Sequence, residues 1–124
     1  MLVVDAAGGE SAFRNAIETE LAAVFGPDSV KAFSSSLKPD NPLYSAMGEV
    51  ATTAEYRNYA RLELGRLPKD PRLRGIEVNG KYRVIYSPQD ITAGLLGQPV
   101  DRIFGYSPKS ATDLMASLLL YAVR

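Results

Sequence analysis

The feature that most constrains the fold of this 124-residue sequence is the dipeptide Asn79-Gly80, set between two alternating segments. Over residues 73–87, apolar side chains alternate with polar ones on both sides of it. Alternation is the period of a half-buried strand, and Asn-Gly supplies the two positive φ angles that a type I′ turn requires. The sequence therefore predicts a β-hairpin over residues 73–87, which Pro88 ends.

The amino-terminal segment predicts half of a βαβ unit. Residues 2–6 form a short apolar run closed by Gly8-Gly9, which is typical of a buried strand followed by a turn. Residues 11–25 then place apolar side chains at helical spacing. Ser11 is suited to cap this helix, and Gly26-Pro27 to end it. Strand, glycine turn and helix in this order favour an α/β architecture.

A second long helix is predicted at the carboxyl end. Ser107 favours the N-cap position and Pro108 the first helical position. Its apolar face is formed by Ala111, Leu114, Met115, Leu118, Leu119 and Ala122. We expect this face to pack on the sheet. Residues 91–96 predict a short helical turn stopped by Gly97.

The middle of the chain has weaker periodicity. We expect short strands at residues 29–33 and 55–62, a loop at residues 34–41, and a proline-containing connection at residues 67–72. All the predicted elements together indicate one α/β domain with a mixed sheet, in three layers or as an open two-layer structure. A chain of this length is the usual size of a single domain.

Charge and composition exclude several classes of protein. Lys plus Arg and Asp plus Glu number 14 each, so the formal net charge is zero, whereas nucleic-acid binders usually carry a basic excess. Residues 57–74 are locally basic but interleaved with acidic residues, which favours a solvated face over a nucleic-acid contact. No apolar run approaches the roughly 20 residues of a membrane span, and the amino terminus does not resemble a signal peptide. We expect a soluble protein, in a compartment that the sequence does not indicate.

The sequence has no cysteine and no histidine. A Ser-His-Asp or Cys-His site needs an imidazole, and the usual zinc sites need Cys or His, so this chain alone builds neither. We expect no cofactor and no metal, because no acidic cluster has the spacing of cation ligands. Ser35 and Lys38 match the S-x-x-K pattern of serine–lysine nucleophiles, but they lie in a polar loop, where a chance match is the better interpretation.

The turn after the first predicted strand is a candidate ligand site. Asp5, Gly8 and Gly9 lie where the strand gives way to the helix, and ligands of open α/β sheets bind at the carboxyl ends of strands. A helix N-terminus also attracts anions, although Glu10 would repel a phosphate. The alternative is a tight turn in which Asp5 binds loop amides.

A second candidate group follows the hairpin. Asp90 is either a buried acid in a cleft or the N-cap of the helical turn at Ile91. Tyr106 precedes the last helix, and Asp5, Asp90 and Tyr106 form a small polar pocket if their segments converge. The candidate ligand-binding residues are Asp5, Gly8, Gly9, Ser87, Asp90 and Tyr106. None of them is assigned a catalytic role.

The chain also resembles the bacterial family numbered 4159 among the domains of unknown function. The resemblance is carried by Leu73-Arg74-Gly75-Ile76, Asn79-Gly80-Lys81, Val84-Ile85-Tyr86-Ser87-Pro88, Asp90-Ile91-Thr92-Ala93-Gly94-Leu95, Gly105-Tyr106, Leu118-Leu119-Leu120-Tyr121-Ala122, Leu2-Val3-Val4-Asp5-Ala6-Ala7-Gly8-Gly9, Ala12-Phe13 and Asn41-Pro42-Leu43-Tyr44. In the last segment, Asn41 stands where the family usually has histidine. The resemblance extends over most of the chain, from residue 2 to residue 122.

This resemblance implies a flavodoxin-like sheet, similar to class I glutamine amidotransferase and ThuA-like domains, with helices on both faces. Family members usually carry a further part of the domain before the strand at residues 2–6, so we expect this chain to be a fragment that begins within a domain. The amidotransferase cysteine and histidine have no counterpart here, and glutaminase activity is not carried over.

Two functional hypotheses from the sequence rank ahead of a third, a nucleic-acid contact through residues 57–74. The first is a non-catalytic binding or protein-interaction module, with a protein partner or self-association through an exposed sheet edge or apolar face. The second is a site for a small polar metabolite, sugar-like and either bound or hydrolysed, at the carboxyl ends of the strands. We expect no nucleic-acid partner.

Overall fold

A computed structural model describes residues 1–65, 69–97 and 102–124. Its sheet has three strands, which are β1 (Leu2–Asp5), β2 (Arg74–Val78) and β3 (Lys81–Ser87), in the order β1-β3-β2. β1 runs parallel to β3, and β2 runs antiparallel to it. The predicted mixed sheet of an α/β fold is therefore confirmed, with β3 in the centre.

The hairpin prediction is also confirmed. Val78 pairs with Lys81 across the turn, where φ is 54° at Asn79 and 75° at Gly80. Both central residues thus have the positive φ of a type I′ turn. The register shifts once, between Ile76 and Glu77.

Five α-helices and two short 3-10 helices, at Ala7–Gly9 and Glu49–Ala51, accompany the sheet in the described part of the chain. The α-helices are α1 (Ser11–Phe25), α2 (Pro27–Ala32), α3 (Asn58–Leu64), α4 (Thr92–Leu96) and α5 (Pro108–Ala122). The bounds predicted for α1 are confirmed, and it ends at Gly26 as expected. The prediction that Ser11 caps it is wrong, because Glu10 occupies the N-cap position and no side chain caps the helix.

Both strands expected in the middle of the chain are wrong. Residues 29–33 lie mostly in α2, where Pro27 begins the helix and Asp28 and Lys31 suit its two ends. Residues 55–62 lie largely in α3, and only Tyr56 makes a strand-like bridge, to Tyr106. The predicted connection at residues 67–72 falls partly outside the described residues.

The two carboxyl-terminal helices match their predictions more closely. α4 is followed by Gly97 at φ 68°, and Ser107 accepts a hydrogen bond from the backbone N–H of Ser110 as the cap of α5. The predicted apolar face of α5 needs one correction, since Leu119 is 60% exposed while Ser117 is fully buried. The helix is rotated so that Leu118 faces the core and Leu119 lies outside it.

Helices cover both faces of the sheet. Val3 and Ile85 join a core that contains residues of α5, whereas Val4 and Val84 join a second core with residues of α1. Neighbouring residues of a strand point to opposite faces, so each strand contributes to both cores. This division places the carboxyl ends of β1 and β3 between the two helical layers. Within the described ranges, no helix is both long and apolar enough to cross a membrane.

Candidate functional site

Asp5, the last residue of β1, holds the start of α4. Its carboxylate accepts hydrogen bonds from the backbone N–H groups of Ile91 at 3.0 Å and Thr92 at 2.8 Å, and from the Thr92 hydroxyl at 2.6 Å. Burial raises the pKa of Asp5 above its usual value, although these hydrogen bonds oppose the shift. Asp5 therefore binds backbone amides, but those of the start of α4 and not those of the turn that follows β1.

Asp90 performs a similar task from the other strand end. It is only 4% exposed, and its Oδ2 accepts a hydrogen bond from Gly8 N at 2.5 Å while its Oδ1 accepts one from Ala93 N at 2.7 Å. Asp90 is thus a buried acid that accepts a hydrogen bond from the first turn of α4, but the N-cap position predicted for it is occupied by Ile91. Each carboxylate oxygen has a backbone N–H donor, which is the usual condition for burying a charge.

The backbone around Asp90 ties three segments together. Asp90 N donates to Phe104 O at 2.9 Å, Tyr106 N donates to Asp90 O at 2.9 Å, and Phe104 N donates to Gly8 O at 3.0 Å. Asp5, Asp90 and the backbone N–H groups they bind are called the carboxylate cluster below. Together with the backbone hydrogen bonds of Phe104 and Tyr106, it fixes the β1–α1 turn, the start of α4 and the segment before α5 against one another.

Ser87 and Tyr106 direct their side chains into the core. Both are fully buried, and the Ser87 hydroxyl donates to Gln89 O at 2.6 Å. The Tyr106 hydroxyl accepts a hydrogen bond from Arg72 N at 2.9 Å, and burial raises its pKa to about 12. Its ring stacks on Tyr56 with centroids 4.7 Å apart. The predicted residues therefore converge in part, but Ser87 and Tyr106 do not line an open pocket.

An open cavity of about 370 Å³ adjoins the carboxylate cluster and is called the strand-end cavity. It is lined by residues 8–11, Arg14, Tyr59, Arg102 and Phe104. A Cβ at Gly9 would lie 2.2 Å from Phe104 O, so glycine is needed for this close approach. Gly8 and Gly9 are the predicted residues that reach an accessible site.

Two arginines give the strand-end cavity its polar character. Arg14 lies on the first turn of α1 with its guanidinium 5.8 Å from the Phe104 ring centroid, and its Nε is buried without a hydrogen-bond partner. Arg102 is exposed and has φ 60°. Among the described residues, no acidic side chain lies within ion-pair distance of either guanidinium.

Sequence reasoning missed the side chains that line this cavity. Arg14 could have been found, because it follows the glycine turn within one helical turn. Tyr59, Arg102 and Phe104 come from distant segments, and only the tertiary fold brings them to the turn.

Two other sequence motifs, the basic stretch and the S-x-x-K pattern, gain no support as functional sites. In the basic stretch, Arg57 donates to Tyr106 O and Ala93 O, and Arg74 pairs with Glu18 at 3.3 Å. These contacts account for both arginines within the fold. Ser35 and Lys38 are exposed in a loop.

Asn41, which replaces the histidine usual in the resembled family, orders its own segment. Its Oδ1 accepts a hydrogen bond from Leu43 N at 3.0 Å, and its Nδ2 donates to the Tyr82 hydroxyl at 3.1 Å. The residue therefore has a structural role in a turn that buries Leu43 and Tyr44.

Across residues 1–65, 69–97 and 102–124, no group of three or more acidic, cysteine or histidine side chains is placed to hold a metal ion. Comparisons of the chain with protein-family models, with curated proteins and with solved structures find no match. What can be inferred about function therefore comes from the geometry at the strand ends.

Proposed function

We propose that this chain is a non-catalytic binding module and that its ligand, a small polar metabolite, occupies the strand-end cavity. One observation carries the proposal. Asp5 and Asp90 are engaged with backbone N–H groups, whereas the cavity beside them is open and lined by polar groups. A volume of about 370 Å³ lies within the range of small-molecule sites, roughly 300–1,000 Å³.

A hydrolytic role for the same strand ends has less support. A general acid or base must reach the proton it transfers, within hydrogen-bond distance of the substrate. Asp90 is 4% exposed with a donor on each oxygen, and Tyr106 is fully buried with a raised pKa, so neither presents a free group to a substrate. Asp5 has a raised pKa, as an acid catalyst requires, but it too is held by three hydrogen bonds.

The proposal includes membership of the family numbered 4159 and its flavodoxin-like fold. It is supported by the parallel β1–β3 pair, by helices on both faces of the sheet, and by a candidate site at the carboxyl ends of the parallel strands. The missing amidotransferase cysteine and histidine agree with a member that binds rather than reacts.

A second candidate function is protein interaction, and specifically self-association. In the described ranges β1 pairs only with β3, so its other edge presents backbone groups without a strand partner there, and Leu2 on β1 is 49% exposed. Free edges of this kind are templates for pairing with another chain.

The proposed binding function is tested by a thermal-shift panel of neutral sugars, sugar phosphates and small carboxylates. We expect at least one compound to raise the melting temperature and to be recovered chemically unchanged after prolonged incubation. Stabilisation by a bound ligand grows with the logarithm of its concentration, so the shift must be concentration-dependent. Turnover of a compound that Asp90→Asn abolishes would overturn the non-catalytic assignment.

A further inference from the structure

The strand-end cavity has a cationic wall that faces its open volume. Arg14 and Arg102 line it from different segments, and in the described part of the chain neither guanidinium has an acidic partner. Arg14 Nε is buried and has no hydrogen-bond partner among the described residues, so the fold leaves this guanidinium incompletely satisfied. Guanidinium groups are the side chains best suited to phosphate, because their donors match its oxygens in pairs.

The remaining walls favour an organic anion over a simple ion. Tyr59 and Phe104 line the same cavity and offer aromatic surface next to the guanidinium groups. The first turn of α1 also lies there, and no side chain caps it. Glu10 is the one acidic residue among the described residues that line the cavity, where it accompanies two arginines.

The cavity is also held in shape before any ligand arrives. Gly8 is fixed by two hydrogen bonds, because its N–H donates to Asp90 and its carbonyl oxygen accepts from Phe104 N. The Arg14 guanidinium lies over the Phe104 ring. A preorganised site loses less conformational entropy when it binds its ligand.

From these observations we propose that the strand-end cavity binds a small phosphorylated metabolite, with Arg14 and Arg102 as its phosphate ligands. The inference rests on the proposed binding function and specifies its ligand class. A phosphate monoester carries about −1.5 to −2 charge at pH 7 and three acceptor oxygens, which suits two guanidinium groups. The cavity volume of about 370 Å³ suits a small molecule.

The test is an amide-resolved NMR titration of the full chain with inorganic phosphate, glucose 6-phosphate, glucose and acetate. We expect both phosphates to shift the amide signals of Gly8, Gly9 and Ser11, with saturation. Arg14→Gln and Arg102→Gln should each weaken glucose 6-phosphate binding roughly tenfold to a hundredfold, the usual range for hydrogen bonds to charged groups. Glu10→Gln should tighten it by up to about fivefold, as for an exposed charge pair.

Arg83→Gln is the matched control, because it removes the same charge from an exposed residue of β3 that does not line the cavity. It should leave glucose 6-phosphate binding unchanged. Equal weakening in all three arginine variants would overturn the proposal, since only the net charge would then matter. Because Arg14 contacts Phe104, Arg102→Gln keeps the test decisive if Arg14→Gln fails to fold.

The other arms separate this inference from the proposed function. Glucose binding as tightly as glucose 6-phosphate would overturn the phosphate assignment and leave a binding module in place. If acetate shifted the same amide signals and bound with the same affinity as inorganic phosphate, the phosphate assignment would also be overturned. The site would then accept any small anion. Absence of any shift with both phosphates overturns the inference, while the thermal-shift panel still decides the binding function.

Discussion

At the scale of single residues, Gly8 and Gly9 have nearly the same positive φ but differ in what surrounds them. Their φ angles are 68° and 69°, yet a Cβ at Gly8 meets nothing within 4 Å while one at Gly9 meets Phe104 O at 2.2 Å. Because the left-handed conformation is unfavourable for alanine, substituting alanine at either position costs about 1–2 kcal/mol of folding free energy. Gly9→Ala adds overpacking, typically ~1–3 kcal/mol.

We therefore expect Gly9→Ala to lower the free energy of unfolding by clearly more than its matched control, Gly8→Ala. Urea denaturation of both variants measures the difference. Equal losses would mean that the glycine turn is not packed against Phe104 in solution.

The carboxyl of Asp5 makes a separate prediction about pH. Because its pKa is raised in the folded state, the folded protein binds the proton more tightly than the unfolded chain does. The free energy of unfolding should then fall as the pH rises from about the ordinary pKa, 3.8, through the raised folded value. Asp5→Asn should remove this part of the slope, whereas Asp40→Asn, in an exposed loop, should keep it. Identical slopes in wild type and Asp5→Asn would contradict the raised pKa.

At the scale of secondary-structure elements, α5 contributes buried residues to one core, while neighbouring residues of the same helix are exposed to solvent. Leu118 is fully buried, whereas Leu119 is 60% exposed. We expect Leu118→Ala to reduce the free energy of unfolding by ~2–5 kcal/mol, the usual cost for a buried leucine. Leu119→Ala should change it by less than about 0.5 kcal/mol, as at most surface positions. If chemical denaturation showed similar losses of unfolding free energy for the two variants, α5 would have to be rotated about its axis relative to this structure.

Elements with strong local signals were predictable, and those shaped by distant contacts were not. The Asn79-Gly80 turn and the cap at Ser107 carry their geometry in two residues, so the hairpin and α5 followed from the sequence. α2 and α3 have short, mixed patterns, and each was mistaken for a strand.

The candidate site shows the same division. The meeting of Asp5 and Asp90 was foreseen as a hypothesis from strand ends, and the structure brings their loops together. Their saturation by backbone donors was not foreseeable, because it depends on the positions of Ile91, Ala93 and Gly8 in the folded chain. Tyr59 and Arg102 enter the cavity only through long-range packing.

At the scale of the whole molecule, the free edge of β1 predicts weak self-association. Light scattering after size exclusion should show a mass that rises with concentration towards a dimer. Leu2→Lys should suppress this rise, because a charge on an edge strand opposes strand pairing. Leu62→Lys is the control, since Leu62 is 81% exposed on α3. A monomer at every concentration, or equal suppression by both variants, would contradict association through β1.

The separation between a structural carboxylate cluster and a ligand-binding cavity is tested most directly by the free energy of unfolding of Asp90→Asn. In the wild type, a backbone N–H donates to each carboxylate oxygen of Asp90. In Asp90→Asn, the side-chain NH₂ replaces one of these oxygens, so two donors face each other. One buried hydrogen bond is thereby lost, at a cost of roughly 1–3 kcal/mol. We expect that loss by urea denaturation, with Asp40→Asn unchanged. A stability equal to or above that of the wild type would contradict a structural cluster, because removing a strained functional group commonly stabilises a protein.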